Sequence, residues 1–403
     1  MYPVPVRMLK LSEKIVAEYV REEMIAGSPC FTGNFDLFAV EGGTAAMTYI
    51  FSTLKENSLL KKGDTIAIGM PIFTPYIEIP QLSDYSLTEL SINANPAHGW
   101  QIPAEELAKL LDPKVKALFL VNPSNPPSVK LSDETLAAIA GIVEKRPDLI
   151  ILTDDVYGTF ADDFTSLFGI CPYNTILVYS FSKYFGATGW RLGVIATHEH
   201  TILDKAIAAL PEEEQKRLDK RYSTIVTEPR TLQFIDRLVA DSRTVALNHT
   251  AGLSTPAQVQ MVMFALFSLM DVSQQYKRGM KRLIRRRKAA LYRELQVAPS
   301  ATPNDVDYYH LLDAEALSKG VYEQEFIDWL KSSFKPNEFL FTLADKAGVV
   351  LLPSSGFGGP NHPSARVSLA NLTEMQYVRI GKAMRELLDD YYEQYQALQA
   401  EKK

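Results

Sequence analysis

Short apolar runs alternate with amphipathic stretches through the first half of the chain, and that order predicts strands and helices in turn. Residues 36–41, 65–69, 116–121, 149–152, 175–181 and 192–196 are apolar-rich runs of strand length. Amphipathic helices are predicted over 12–24, with Ser12 as N-cap, over 45 to about 60, and over 133–145. The first of these has no preceding element to pack on. Uniformly apolar strands separated by helices predict a doubly wound, mostly parallel sheet. Helices continue from about 199 to 245, a loop covers 248–256, and a long helical region runs over 257–295. The last part reads as a smaller α/β unit, with strands at 307–312, 349–352 and 365–369 and helices at 322–332, 339–347 and from 373 onward. Residues 296–304, rich in Pro, Ala, Ser and Thr, read as a linker. The expected class is α/β, with an N-terminal arm and helix at 1–30, a large domain at 31–295 and a small C-terminal domain at 296–403.

Composition narrows the function classes. An apolar fraction of 46% and a charged fraction of 22% over 403 residues suit a globular protein with a sizeable core. A net charge of −6 gives no global field that would draw nucleic acid or an anionic membrane. The basic cluster at Lys281, Arg282, Arg285, Arg286, Arg287 and Lys288 reads as a solvated helix face. The longest nearly apolar run, 259–270, is too short to span a bilayer. Cys30 and Cys171 are the only cysteines; without a CxxC pair or a leader at the start, they suggest a reducing, cytoplasmic location. His198-Glu199-His200 lacks a further ligand at sensible spacing, so it reads as a loop and no metal is expected.

Candidate chemistry gathers just past the predicted strands, where doubly wound sheets bind ligands. The strand at 175–181 runs into Lys183, an amine that desolvation would make nucleophilic and able to form a Schiff base. Gly43 and Thr44 open a helix directly after a strand and can present backbone N–H groups and a hydroxyl to a phosphate. Arg191 suits the same anion through two parallel hydrogen bonds. Phe73, Asn125, Asp154 and Tyr157 also follow strands. An aldehyde, a phosphate, a basic ring nitrogen and a phenolic oxygen together satisfy this set, which points to pyridoxal 5'-phosphate. The Asp154 carboxylate would keep the ring nitrogen protonated, and Tyr157 and Asn125 would bond the ring oxygen.

The set Asn125-Pro126, Asp154-x-x-Tyr157, Ser180-x-Ser182-Lys183, Arg191 and Arg366 resembles the class I aminotransferases. EGGTAAMTYIF, VNPSNPPSVK, LTDDVYGTFADDF and VYSFSKYFGATGWRLGVIA are similar, within that group, to the aspartate 4-decarboxylase/aspartate aminotransferases. The resemblance runs from Tyr2 to the final helix. It implies Lys183 as the Schiff-base lysine and proton shuttle, Gly43, Thr44, Ser180 and Arg191 on the phosphate, and Asp154 on the ring nitrogen. It implies Phe73 stacked on the ring, Arg366 on the substrate α-carboxylate, and Asn125 as a second substrate-binding residue. Tyr2 and Ser254 match positions that reach a neighbouring subunit's cofactor phosphate, so a homodimer or higher homo-oligomer is expected. The implied reactions use amino acid and 2-oxo acid substrates: loss of the aspartate β-carboxylate as CO2 to leave alanine, with aspartate/2-oxoglutarate transamination beside it.

Four features depart from the wider pattern. Thr250 stands where simple aspartate aminotransferases place an arginine for the side-chain carboxylate. Pro127-Ser128 replaces the usual Thr-Gly, and Ser354-Ser355-Gly356-Phe357 replaces Gly-Arg-Gly-Phe. Relatives carry a long section before the position of Tyr2, which leads us to expect exposed apolar surface on the small domain and reduced activity for this chain.

Overall fold

A computed structural model describes residues 6–243, 252–299, 301–333, 336–359 and 364–401. The chain forms two units. The first comprises Met1–Met70, Pro75–Pro123 and Lys130–Gln274; the second comprises Pro71–Thr74, Ser124–Val129 and Gln275–Lys403.

The first unit is built on a seven-stranded sheet of β1 (Phe35–Val40), β2 (Thr65–Met70), β3 (Thr88–Asn93), β4 (Val115–Val121), β5 (Ile150–Asp154), β6 (Thr175–Ser180) and β7 (Gly193–His198). Their order is β1-β7-β6-β5-β4-β2-β3. Pairings from β3 through β6 are parallel, while β7 runs antiparallel to both β6 and β1. Every residue of β5, β6 and β7 is buried, as expected for strands with both faces covered. On one face Leu118, Leu120 and Ile151 pack with Leu136 and Ile139 of the helix Asp133–Lys145. Each such side chain, fully buried, contributes about 1.5–3 kcal/mol. Ser132 caps that helix through Thr135 N–H at 3.2 Å.

Several expectations are corrected. Ser12 is a buried residue inside the helix Lys10–Val20, whose N-cap is Leu9. That helix does have packing partners within the first unit: Leu9 N–H donates to Gln258 Oε1 at 2.8 Å, and the Tyr19 and Tyr179 hydroxyls lie 2.7 Å apart. The helix predicted to reach residue 60 ends at Glu56. The region 257–295 is two helices, Thr255–Met270 and Gln275–Leu295, interrupted where Asp271 ends the first. His198 is the last residue of β7, with its ring Nε2 2.6 Å from Thr32 O. The edge strand β3 escaped the hydropathy pattern because only Ile92 in it is fully buried. The helix Thr74–Gln81 escaped because Pro75 and Pro80 lie within it.

The second unit carries an antiparallel sheet of β8 (Tyr309–Asp313), β9 (Leu352–Pro353) and β10 (Ser364–Ser368), in the order β8-β10-β9. β9 is shorter than the predicted 349–352 strand. The helices Gln275–Leu295 and Glu374–Glu401 meet at Gly381, where a Cβ would stand 2.5 Å from Leu291 O. Arg385 donates to Leu295 O and Leu317 O, joining both helices to the short helix Ala314–Ser318 that follows β8. Phe341, Val350 and Met375 are exposed on this unit.

Candidate functional site

The carboxyl ends of β1, β5 and β6 bring one group of side chains together in the first unit. At the end of β1, Gly42 takes φ +88°, and the helix Gly43–Glu56 begins directly after it. Its first intrahelical bond is Ala46 N–H to Gly42 O, so the N–H groups of Gly43, Thr44 and Ala45 point out of the helix. A Cβ on Gly42 would lie 2.5 Å from Arg191 Nη2, so the guanidinium rests on bare backbone. A Cβ on Gly193 would lie 2.9 Å from Gly42 Cα, which explains a glycine at the start of β7. Arg191 itself is in the left-handed region at φ +53°, with Nη1 donating to Thr188 O at 3.1 Å. A helix N-terminus and a guanidinium therefore converge, which is the chemistry of an anion site.

Asp154 closes β5 and is buried. Tyr76 O–H donates to its Oδ2 at 2.7 Å and Val156 N–H to its Oδ1 at 3.2 Å. Burial pushes Asp154 up to about 6, while Tyr76, Val156 N–H and the charge of Lys183 pull it down. A Cβ on Gly43 would meet Tyr76 Oη at 3.3 Å and Asp154 Oδ2 at 3.6 Å, so the carboxylate sits beside the start of the helix. Burial also pushes the adjacent Asp155 up to about 7, with Asp154 adding to the rise. Tyr157, three residues after Asp154, is buried in the turn before Gly158–Phe160. Ser180 ends β6; its Oγ lies 2.8 Å from Ser182 Oγ and 3.1 Å from Leu192 O. Lys183 follows, half-buried.

Phe73, Asn125 and Arg366 belong to the second unit. There, Ile72 N–H donates to Phe357 O at 3.0 Å, beside Phe73. Arg366, on β10, donates from Nη1 to Asn125 Oδ1 at 2.8 Å. Its guanidinium carbon stands 4.2 Å from the Tyr309 ring centroid and 4.5 Å from that of Phe357. A cavity of about 530 Å³ opens beside it, walled in part by Leu352, Val367 and Arg379. Ser254 caps the helix Thr255–Met270, its Oγ accepting from Ala257 N–H at 3.4 Å. Tyr2 and Thr250 lie outside the described residues. Among the described residues, no cluster of His, Cys, Asp or Glu is placed to hold a metal, and no helix is long and apolar enough to cross a membrane.

Residues 34–383 match the family model for aminotransferase class I and II. The chain belongs to that family. A bifunctional aspartate aminotransferase and L-aspartate beta-decarboxylase from a Pseudomonas species is 58% identical over 98% of this chain and 75% of its own length. An alanine aminotransferase from Pyrococcus furiosus matches the fold with a TM-score of 0.67 at 20% identity, covering 96% of this chain and 84% of its own. An aspartate aminotransferase from Rhizobium meliloti gives a TM-score of 0.66 at 18% identity over 96% of this chain and 84% of its own. As a class I and II aminotransferase the protein uses pyridoxal 5'-phosphate. The first unit's residues fit that group: an anion cradle at Gly42 and Arg191, a buried carboxylate whose charge a neighbouring cation would stabilise, and an amine whose charge acts on it.

The sequence did not single out Tyr76, Gly193 or Tyr309 as site residues, and it marked Phe357 only within the departure at residues 354–357. Tyr76 had a usable signal, since it falls one helical turn after Phe73 in a run of aromatics. The others act through contacts distant in sequence.

Proposed function

We propose that this chain converts L-aspartate to L-alanine and CO2 with pyridoxal 5'-phosphate, and transaminates aspartate with 2-oxoglutarate as a side activity. The observation that carries this reading is the 58% identity over 98% of the chain to a protein named for both activities. The bound cofactor supplies an electron sink for bonds broken at Cα and Cβ of the substrate. Lys183 would hold the cofactor's aldehyde carbon and, once displaced by the substrate amine, move the Cα proton. Gly43, Thr44, Ser180 and Arg191 would hold the phosphate, Asp154 the ring nitrogen, and Tyr157 and Asn125 the ring oxygen. Arg366 and Asn125 would take the substrate α-carboxylate, and Phe73 would stack on the ring.

Decarboxylation balances simply: the Cβ–carboxylate bond breaks, CO2 departs and a proton takes its place at Cβ. Transamination would pass the amino group of aspartate to 2-oxoglutarate, leaving oxaloacetate and glutamate. Supplying L-aspartate alone to the loaded protein should release alanine and CO2 in equal amounts. Consumption of a different amino acid only when 2-oxoglutarate is present, with no alanine from aspartate, would replace this reading by a plain aminotransferase. Cofactor binding with neither product would leave a poorly active cofactor-binding subunit.

A homo-oligomer is part of the same proposal. Val259, Met263, Phe267 and Met270 form a stripe along the helix Thr255–Met270 and are each at least 50% exposed. Such a stripe suits burial against a second copy. Two free cysteines, Cys30 and Cys171, support a cytoplasmic location.

A further inference from the structure

Ser128 occupies a backbone position that ordinarily selects glycine. Its φ is +63°, where a Cβ is strained. Glycine would relieve that strain, so the serine side chain must contribute something in return. Ser128 is 2% exposed, and its Oγ accepts the N–H groups of Tyr308 at 3.0 Å and Tyr309 at 3.2 Å. Its backbone is fixed as well: Val306 N–H donates to Ser128 O at 2.8 Å, and Ser128 N–H to Ser124 O at 2.9 Å. A buried hydroxyl that accepts two backbone N–H groups leaves the first residue of β8 little freedom.

Tyr309 is that residue. Arg366 pairs with Leu311 across β8 and β10, and Ser368 pairs with Tyr309. Tyr309 is two residues from Leu311, so it faces the same side of the sheet as Arg366, on the diagonal. Its ring lies 4.2 Å from the Arg366 guanidinium carbon, and Phe357 lies 4.5 Å away. Asn125 Oδ1 takes Nη1 of the same arginine at 2.8 Å. The short segment Ser124–Val129 thus constrains the guanidinium twice, directly through Asn125 and by way of Tyr309 through Ser128.

We propose that Ser128 is a positioning residue for substrate binding: its hydroxyl fixes Tyr309, whose ring holds the Arg366 guanidinium for a carboxylate. This rests on the reading of Arg366 as the α-carboxylate site. A flat guanidinium held by aromatic rings, with Nη1 committed to Asn125, keeps its other N–H groups aligned for two parallel bonds. An arginine free to rotate would lose that alignment more readily.

The test uses the full chain loaded with pyridoxal 5'-phosphate. It measures KM and kcat for L-aspartate, and Kd for unreactive succinate read from the visible absorbance of the lysine-bound cofactor. Ser128→Gly, which removes the hydroxyl and relieves the backbone, should raise KM and the succinate Kd about threefold, with kcat and the cofactor spectrum unchanged. Tyr309→Leu should raise both by about tenfold, and Tyr309→Phe, which keeps the ring, should restore them. Because Ser128 acts through Tyr309, the double variant Ser128→Gly/Tyr309→Leu should behave like Tyr309→Leu alone. Unchanged KM and Kd in Ser128→Gly would overturn the proposal, as would additive effects or a Phe variant as impaired as Leu. Arg366→Lys in the same assay separates the two levels. If it leaves both constants untouched, the reading of Arg366 fails, and the role of Ser128 fails with it.

Discussion

In the first unit the candidate groups hang from the ends of strands; in the second, Arg366 lies within a short antiparallel sheet and is held by side chains. Asp154 and Ser180 are the last residues of β5 and β6, and the start of the helix Gly43–Glu56 follows β1 by a two-residue turn. Their spacing is set by backbone register that no single side chain controls. Arg366 instead depends on Asn125, Tyr309 and Phe357, three residues from three separate segments. A register-held site should tolerate loss of neighbours but not a change in its own chemistry. A packing-held site should weaken by degrees as its neighbours are trimmed.

The sharpest break of that contrast is at Lys183. Lys183→Ala should lower turnover by about 10³-fold or more, because it removes the proposed Schiff-base amine, while the protein folds and still takes up cofactor. Residual turnover near that of the unaltered protein would place the reactive amine elsewhere. Asp154→Asn keeps the shape and removes the charge, and should lower kcat/KM by about a hundredfold. Arg366→Lys keeps the charge and removes the planar fork; about a tenfold rise in KM with an unchanged cofactor spectrum is expected. A spectral change there would mean that Arg366 also shapes the cofactor site.

The smallest effect concerns pH. In the cofactor-free protein burial raises Asp154 from its ordinary 3.8 to about 6. Below that value the carboxyl is neutral and offers no charge to a cationic ring nitrogen, so cofactor uptake should fall as pH drops through about 6. Stability of the cofactor-free fold has the opposite sign. A carboxyl raised on folding contributes stability at low pH that is lost as pH climbs through the folded value. Tyr76→Phe removes a hydrogen bond that lowers the Asp154 pKa, so the uptake midpoint should move up by about one pH unit or less. An unmoved midpoint would show that Tyr76 does not tune the carboxylate.

The same contrast explains what could be read from the sequence. Apolar strands leading into Gly42-Gly43, Asp154 and Lys183 are local patterns, and a parallel sheet puts the ends of β5 and β6 on one edge, so the fold class and the polar groups there were accessible from order alone. β3 was hidden because an edge strand needs little apolar content. The bond from Tyr76 to Asp154 was hidden because a contact across 78 residues leaves no spacing signal. The aromatic faces of Arg366 were hidden for the same reason. Ser128 stood out only as a departure from glycine, and its meaning needed the Tyr308 and Tyr309 N–H groups to be placed beside it.

The most direct test is chemical. The protein loaded with pyridoxal 5'-phosphate is reduced with borohydride, digested and mapped by mass spectrometry. The strand-end site predicts a single phosphopyridoxyl mass addition, on Lys183, that disappears when aspartate is added before the reductant. Stable labelling of another lysine, or a Lys183 label that aspartate does not displace, would contradict it.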